Sequence, residues 1–252
     1  SADAISSNVT VLEGEDLRAA GLATVADALR TVSGLAVVQS GSFGAATSVF
    51  LRGGESDYVL VLLDDVQINQ PGGGFDFAAL TLWNVERIEI VRGPSSALHG
   101  SDAMAGVIHI ITRAGHGPMT ATLSTRLGSF GRRDWSAGAA GGTERTGYSI
   151  SLSRSRTDGI LAFNNRHDNT VASGRLSFLP DDRTRAGISF RVGDREYHYP
   201  TDAAGNTVDR NAFTYGDETV LSASLRREFS SGFDVQARVG VADTDGGADD
   251  AP

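Results

Sequence analysis

Ser95, Ser96, His99 and Asp102 lie close together and carry the side-chain atoms a hydrolase would use. The G-x-S-x-G elbow is absent around them, and closeness in sequence is not the geometry of a triad. Ser96 and His99 read instead as cap and packing face of one short helical turn. The histidines at 99, 109, 116, 167 and 198 lack H-E-x-x-H spacing, and His109 alternates with Val107 and Ile111 as a sheet residue does. Gly72-Gly73-Gly74 fits no phosphate-binding fingerprint. No catalytic residue is assigned, and no enzyme activity is expected. Acidic loops are better cation candidates, because Ca²⁺ takes carboxylate and carbonyl oxygens on flexible chain. Asp158 and Asp168 lie in one such loop, and Asp194, Asp202, Asp209 and Asp217 in or beside the next. Asp168, Asp202 and Asp209 are the chosen metal candidates. Arg52, Arg87, Arg92 and Arg113 stand at strand ends beside Glu86 and Glu89, where ion pairs could latch one part of the chain to another. Such pairs count for little on a surface and for more when enclosed.

Composition narrows the partners. The 252 residues contain no Cys, which removes disulfides and thiolate sites. A formal charge of −9, without a basic cluster, argues against nucleic acid. No run reaches the roughly 18 apolar residues of a membrane helix. A membrane β-barrel stays open, since its alternating strands leave an ordinary mean hydropathy such as the −0.13 found here.

The elements that must position these residues come in two styles. Up to about residue 115, short helices alternate with strands. Val9–Leu12 is extended and Glu15–Ala20 helical; Thr24 caps a second helix, with Asp27 as a capping-box partner. Leu35–Gln39 and Val49–Arg52 read as strands around the small-residue loop Ser42–Ser48. Tyr58–Leu63 is apolar on both faces, as a central strand covered on both sides would be. Asp64-Asp65 turns the chain into Val66–Ile68, the Gly-rich loop Asn69–Phe77 follows, and Leu80–Trp83 adds a helical turn. Residues 85–113, VERIEIVRGPSSALHGSDAMAGVIHIITR, predict strand, short helix and strand. This is an α+β unit with a mixed sheet, over residues 1–115.

From residue 118 to 252 the period becomes two. Tyr148, Ile150 and Leu152 alternate with Ser149, Ser151 and Ser153, and the same rhythm recurs in about seven strands. Short breaks alternate with long polar loops at Thr157–Thr170 and Gly193–Asp217. An outer-membrane barrel has this rhythm and these loops, and a soluble β-sandwich has the same alternation. Seven strands do not close a bacterial barrel, so if the region is a barrel the chain is expected to hold only its first part.

VFLRGGESDYVLVLLDDVQIN and the 85–113 segment resemble two plug motifs of TonB-dependent outer-membrane receptors, and Ala26–Val37 resembles the entry segment of the plug. Within that family the wording is most similar to cobalamin receptors. Asp65 stands where the family usually has Gly, His99 where it has Tyr and His109 where it has Asn; SADAISSN does not resemble a TonB box. The resemblance implies an α+β plug followed by antiparallel transmembrane β-barrel strands, an incomplete barrel of a receptor in the bacterial outer membrane with its plug facing the periplasm. It implies TonB, outer-membrane lipid and a small-molecule nutrient complex as partners, no required cofactor, and Ca²⁺ as an optional ion in extracellular loops. The loops Ser42–Ser48 and Asn69–Phe77 correspond to the plug apices, which selects Phe43, Asn69, Gln70, Phe75 and Phe77 for substrate contact, with Tyr197, His198 and Tyr199 behind them. Arg52, Glu86, Glu89 and Arg92 become plug latch candidates. Cobalamin is the first expected cargo; a ferric siderophore or haem receptor, a TonB-linked signalling receptor and a soluble β-rich binding protein are the alternatives.

Overall fold

The computed structural model describes residues 9–69, 73–93, 103–202, 205–229 and 232–249. The N-terminal unit begins with strand β1 (Val9–Glu13) and helix α1 (Gly14–Ala19). Helix α2 (Val25–Leu29) starts in a full capping box: Thr24 Oγ1 accepts the Asp27 N–H at 3.1 Å, and Asp27 Oδ2 accepts the Thr24 N–H at 3.3 Å. Strands β2 (Leu35–Gln39) and β3 (Thr47–Leu51) form a hairpin of their own. Strands β4 (Val59–Leu63), β5 (Val66–Gln67), β6 (Val85–Arg92) and β7 (Gly106–Thr112) complete a sheet of order β1-β6-β7-β4-β5. Its β4–β7 pair is parallel and its other pairs are antiparallel, which makes it mixed.

Strand β4 is buried along its whole length, but β7 and not β4 is the middle strand. Val61, Leu63, Ile88, Ile90, Ile108 and Ile110 pack with Leu29, Leu51 and Phe77 on one face of the sheet. Leu60, Leu62, Ala103 and Val107 form a smaller cluster on the other. The helical turn expected at Leu80–Trp83 lies earlier, as a 3₁₀ turn over Phe77–Ala79. Asp76 causes the shift, because its Oδ1 accepts the Ala78 N–H at 3.0 Å and starts the turn there. The short helix expected between β6 and β7, with Ser95, Ser96, His99 and Asp102, lies outside the described residues.

Seven strands follow: β8 (Thr120–Leu127), β9 (Arg133–Gly142), β10 (Thr146–Thr157), β11 (His167–Asp181), β12 (Thr184–His198), β13 (Phe213–Glu228) and β14 (Asp234–Asp249). Each pairs antiparallel with the next, so they form one curtain whose edges are β8 and β14. Among the described residues no helix is long and apolar enough to cross a membrane, a statement that does not touch strands.

The two faces of this wall are inverted relative to a soluble protein. Ser136, Ser149, Ser151, Ser153, Asn169, Ser173, Ser189 and Arg191 are buried, while Ile150, Leu176, Ile188, Leu221 and Val239 are each at least half exposed. The buried polar face lies on the N-terminal unit, and among the described residues no second sheet covers the apolar face. A sandwich would bury its apolar face against another sheet. This wall presents it to a nonpolar solvent.

Ile188→Arg is expected to destabilise the protein by about 2–4 kcal/mol in a bilayer, and Phe229→Arg at the rim by about 1 kcal/mol or less. Reversible unfolding into denaturant from lipid vesicles checks both values, and equal costs would contradict this orientation of the wall.

Candidate functional site

The functional geometry lies along the seam between the N-terminal unit and the wall. Its tightest knot is Asp64. The β4–β5 hairpin closes over two residues, Asp64 and Asp65, both in the left-handed region (φ 47° and 70°) as a type I′ turn requires. That conformation explains why glycine suits the second position. Asp65 fills it with two contacts a glycine would share or lack: its N–H donates to His109 Nε2 at 3.2 Å, and its Oδ2 lies 3.4 Å from Arg238 Nε of β14.

Asp64 is buried at 8 % exposure, and its carboxylate is fully used. Oδ1 accepts from the Thr112 N–H at 2.9 Å and from Arg175 NH1 at 3.0 Å; Oδ2 accepts from Thr112 Oγ1 at 2.6 Å. Arg175, on β11, also donates to the Thr112 carbonyl at 3.2 Å, and Ser222 Oγ of β13 donates to the Asp64 carbonyl at 3.1 Å. Through its carboxylate and its carbonyl, Asp64 thus ties the end of β4 to β7, β11 and β13.

Further ties run up the seam. Ser149 Oγ donates to the Arg113 carbonyl at 2.6 Å, and Asn84 Nδ2 donates to Ser173 Oγ at 3.2 Å. Arg191 holds Glu218 at 2.8 Å and the Ala79 carbonyl at 2.9 Å, while Arg195 pairs with Asp76. At the top, Asn165 Nδ2 donates to Ser42 Oγ at 2.8 Å, and Tyr197 Oη lies 3.2 Å from the same oxygen. Beside it the Phe43 ring stands edge-on to His167 at 5.4 Å and under the Arg132 guanidinium at 4.1 Å. Gly44 (φ 95°) passes so close that a Cβ would lie 2.3 Å from the His167 ring.

The predicted site residues divide accordingly. Phe43 is half-buried against the wall. Asn69 is buried, its Oδ1 accepting the Val61 N–H at 3.0 Å and its Nδ2 donating to the Gly73 carbonyl at 3.3 Å. Phe77 is 2 % exposed and belongs to the core, with Phe75 packed edge-on at 5.0 Å. Gln70 lies outside the described residues. Asn69 and Phe75 line a cavity of about 340 Å³ with Asp76, Asn169, Arg195 and Glu218, between the N-terminal unit and strands β11 to β14. Asn169 Oδ1 is buried there without a hydrogen-bond partner, which marks a place for a donor or a water. Tyr197 stacks with Tyr199 at 6.3 Å, and His198 with Phe213 at 5.1 Å.

The latch candidates behave differently from expectation. Glu86 and Glu89 both pair with Arg87, at 3.1 and 2.7 Å, and Arg92 donates to Thr10 of β1, so these contacts stay within the N-terminal sheet. Arg52 (φ 49°) follows β3 at the hairpin end. Among the described residues the ion pairs that cross to the wall are Asp64–Arg175, Asp76–Arg195 and Asp65–Arg238. Sequence reading missed them because their partners lie in strands far along the chain. The one available signal was arginine recurring on the serine face of the wall strands.

The metal candidates are also separated. Asp168 is held bidentately by Arg154 at 2.9 and 2.6 Å; Asp202 caps Asn206, and Asp209 accepts the backbone N–H groups of Asn211 and Ala212. Among the described residues no three His, Asp or Glu side chains converge as a metal site.

Comparison with known proteins decides what the seam belongs to. Residues 1–107 match the family model of the TonB-dependent Receptor Plug Domain. This N-terminal unit is similar to the plug domain of such receptors and is called the plug below. The chain is 38 % identical over 127 residues to the Vitamin B12 transporter BtuB of Vibrio vulnificus, covering 50 % of this chain and 21 % of that one. The BtuB of Photobacterium profundum is 36 % identical over 156 residues, 61 % of this chain and 26 % of the relative. The chain therefore spans about a fifth to a quarter of the length of these relatives. Plug and wall together superpose on the ferric enterobactin receptor PfeA of Pseudomonas aeruginosa with a TM-score of 0.74 at 19 % identity, over 94 % of this chain and 41 % of that one. The copper transporter OprC gives 0.73 at 18 % identity, over 92 % and 37 %. At such identities the likeness is one of fold.

Two predictions follow from the Asp64–Asp65 corner. A cycle of Asp64→Ala and Arg175→Ala should give a coupling of about 1–3 kcal/mol in unfolding of the plug, since both single changes strand a largely enclosed partner. Coupling near zero would remove the knot from the seam. Burial lowers the pKa of His109 from 6.5 against the raising influence of Asp65 and Glu89, so the native ring binds protons less readily than the unfolded one. Its contribution is complete above about pH 6.5 and is lost as the pH falls through the lower native value. Hydrogen exchange at the Asp65 N–H should accelerate between pH 7 and 5 beyond the intrinsic trend, and His109→Gln should abolish that excess.

Proposed function

We propose that this chain is the plug, residues 1–115, and the first wall strands, residues 118–252, of an outer-membrane receptor that imports a scarce nutrient complex. The observation that carries this is the wall itself: apolar residues outward, serine, asparagine and arginine inward, and a plug hydrogen-bonded to the inward face. Such a body sits in the bacterial outer membrane with the plug on the periplasmic side. Nutrient binds at the extracellular end, on the side of the long loops, and energy delivered through TonB shifts the plug against the wall. No covalent step is assigned to any residue.

Cobalamin is the first cargo to test, supported by the 36–38 % identity to vitamin B12 transporters. Phe43 and Phe75 are the substrate contacts we retain, with Tyr197 and Tyr199 on the wall. Phe77 and Asn69 act from behind, one as core and one as the brace of the loop. The seam ion pairs Asp64–Arg175 and Asp76–Arg195 take the latch role first given to Arg52, Glu86, Glu89 and Arg92. They are enclosed, so breaking them costs more than breaking exposed pairs would. Calcium is left out of this mechanism because Asp168 is occupied by Arg154.

The full-length protein in detergent should bind cobalamin saturably, and Phe75→Ala should weaken that binding by about tenfold, the loss usual for a buried aromatic contact. Saturable binding of a ferric siderophore in place of cobalamin would overturn the cargo and leave the receptor reading intact.

A further inference from the structure

The outward face of the wall is not evenly packed. Two neighbouring rows of residues cross strands β11 to β14: Phe178, Ala186, Leu225 and Ala237 in one, and Leu176, Ile188, Ala223 and Val239 in the next. Large and small side chains alternate in the first row, and Ala223 is the small residue of the second, so Ala186, Ala223 and Ala237 form a floor between taller walls. The result is a shallow groove of about 530 Å³, almost wholly apolar.

The end of this groove is cationic. Arg227 lies two residues beyond Leu225 on the same face of β13, opposite Thr184. Its guanidinium sits 5.5 Å over the Phe229 ring, and Phe229 packs with Phe233 at 5.9 Å, as aromatics do at a membrane boundary. Among the described residues Arg227 makes no ion pair, and Arg183, exposed on the adjacent turn, makes none either. The nearby carboxylate of Asp181 accepts the Arg183 N–H at 2.9 Å. The short turns at 143–145 and 182–183 share this end with Phe229, Phe233 and Thr120, where the chain enters the wall from the plug. The long loops lie at the other end, so the groove opens toward the periplasmic leaflet.

We propose that this groove is a binding site for an anionic phospholipid, with an acyl chain over Ala186, Ala223 and Ala237 and the phosphate on Arg227, assisted by Arg183. The apolar floor explains the chain, and the guanidinium held over an aromatic ring at its mouth, with the Asp181 carboxylate acting on its charge and no ion pair formed among the described residues, explains the charge. An arginine stacked in this way presents its N–H fork to a phosphate with little ordering left to do. The inference rests on the membrane-wall reading given above.

The test uses the full-length protein in mild detergent and native mass spectrometry, with phosphatidylglycerol and phosphatidylcholine of identical chains offered together. Phosphatidylglycerol should be retained with a preference of roughly fivefold, the selectivity one basic contact provides. Arg227→Gln should erase the preference, Arg227→Lys should keep most of it, and Ala223→Leu should lower retention of both lipids by filling the groove. Equal retention of the two lipids by the unaltered protein would overturn the site, as would a preference untouched by Arg227→Gln. Insertion into vesicles is measured alongside. A protein that inserts but holds lipid unselectively has lost only this proposal, whereas one that stays soluble without detergent has lost the wall reading as well.

Discussion

A strand wall that turns its apolar side outward has only its polar side left with which to hold anything within it. That constraint organises the whole structure. Hydrophobic burial, the usual glue between layers, crosses the seam sparingly, through Val220 of β13, because the inward residues of β9 to β13 are largely serine, asparagine and arginine. The plug is joined to the wall by specific hydrogen bonds and enclosed ion pairs instead. Its own stability comes from the core around Leu29, Leu51, Ile88 and Ile110.

The consequence for mechanism is a contrast between two kinds of contact. Inside the plug, packing is dense and offers no alternative arrangement. Along the seam most contacts are discrete polar pairs, and a polar pair can be exchanged for water at modest net cost. Contacts of the second kind suit the plug movement proposed above. Asp64 is the exception in density: four donors converge on it, including Arg175 from the wall and both the N–H and hydroxyl of Thr112. The two-residue hairpin that presents it adopts left-handed dihedrals at both positions.

Much of the fold was legible in the residues. The capping box of Thr24 and Asp27, the strand at Leu35–Gln39 and the strand pair at either end of residues 85–113 follow from local chemistry, which acts over a few residues and leaves local signatures. The 3₁₀ turn was misplaced because Asp76 captured the Ala78 N–H, a competition between side chain and backbone that hydrophobic patterning does not register. The candidate site was less legible. Phe77 and Asn69 sit in a loop that looks exposed in sequence, yet one is core and the other braces β4. The latches were sought among charges adjacent in sequence, and those charges neutralised one another within their own sheet.

By itself the sequence determined the period of each strand, the breaks between strands, the absence of thiol chemistry and the plug motifs, since all of these depend on neighbours within a few positions. Only the tertiary structure decided which face of the wall is outside, because alternation with period two is unchanged when inside and outside are exchanged. It also decided the partners of the seam. Asp64 and Arg175 are 111 residues apart, Asp76 and Arg195 are 119 apart, and their meeting depends on how the plug seats against a wall whose register is set strand by strand. Charge tells a residue what it needs, and the packing of the two bodies selects which residue supplies it.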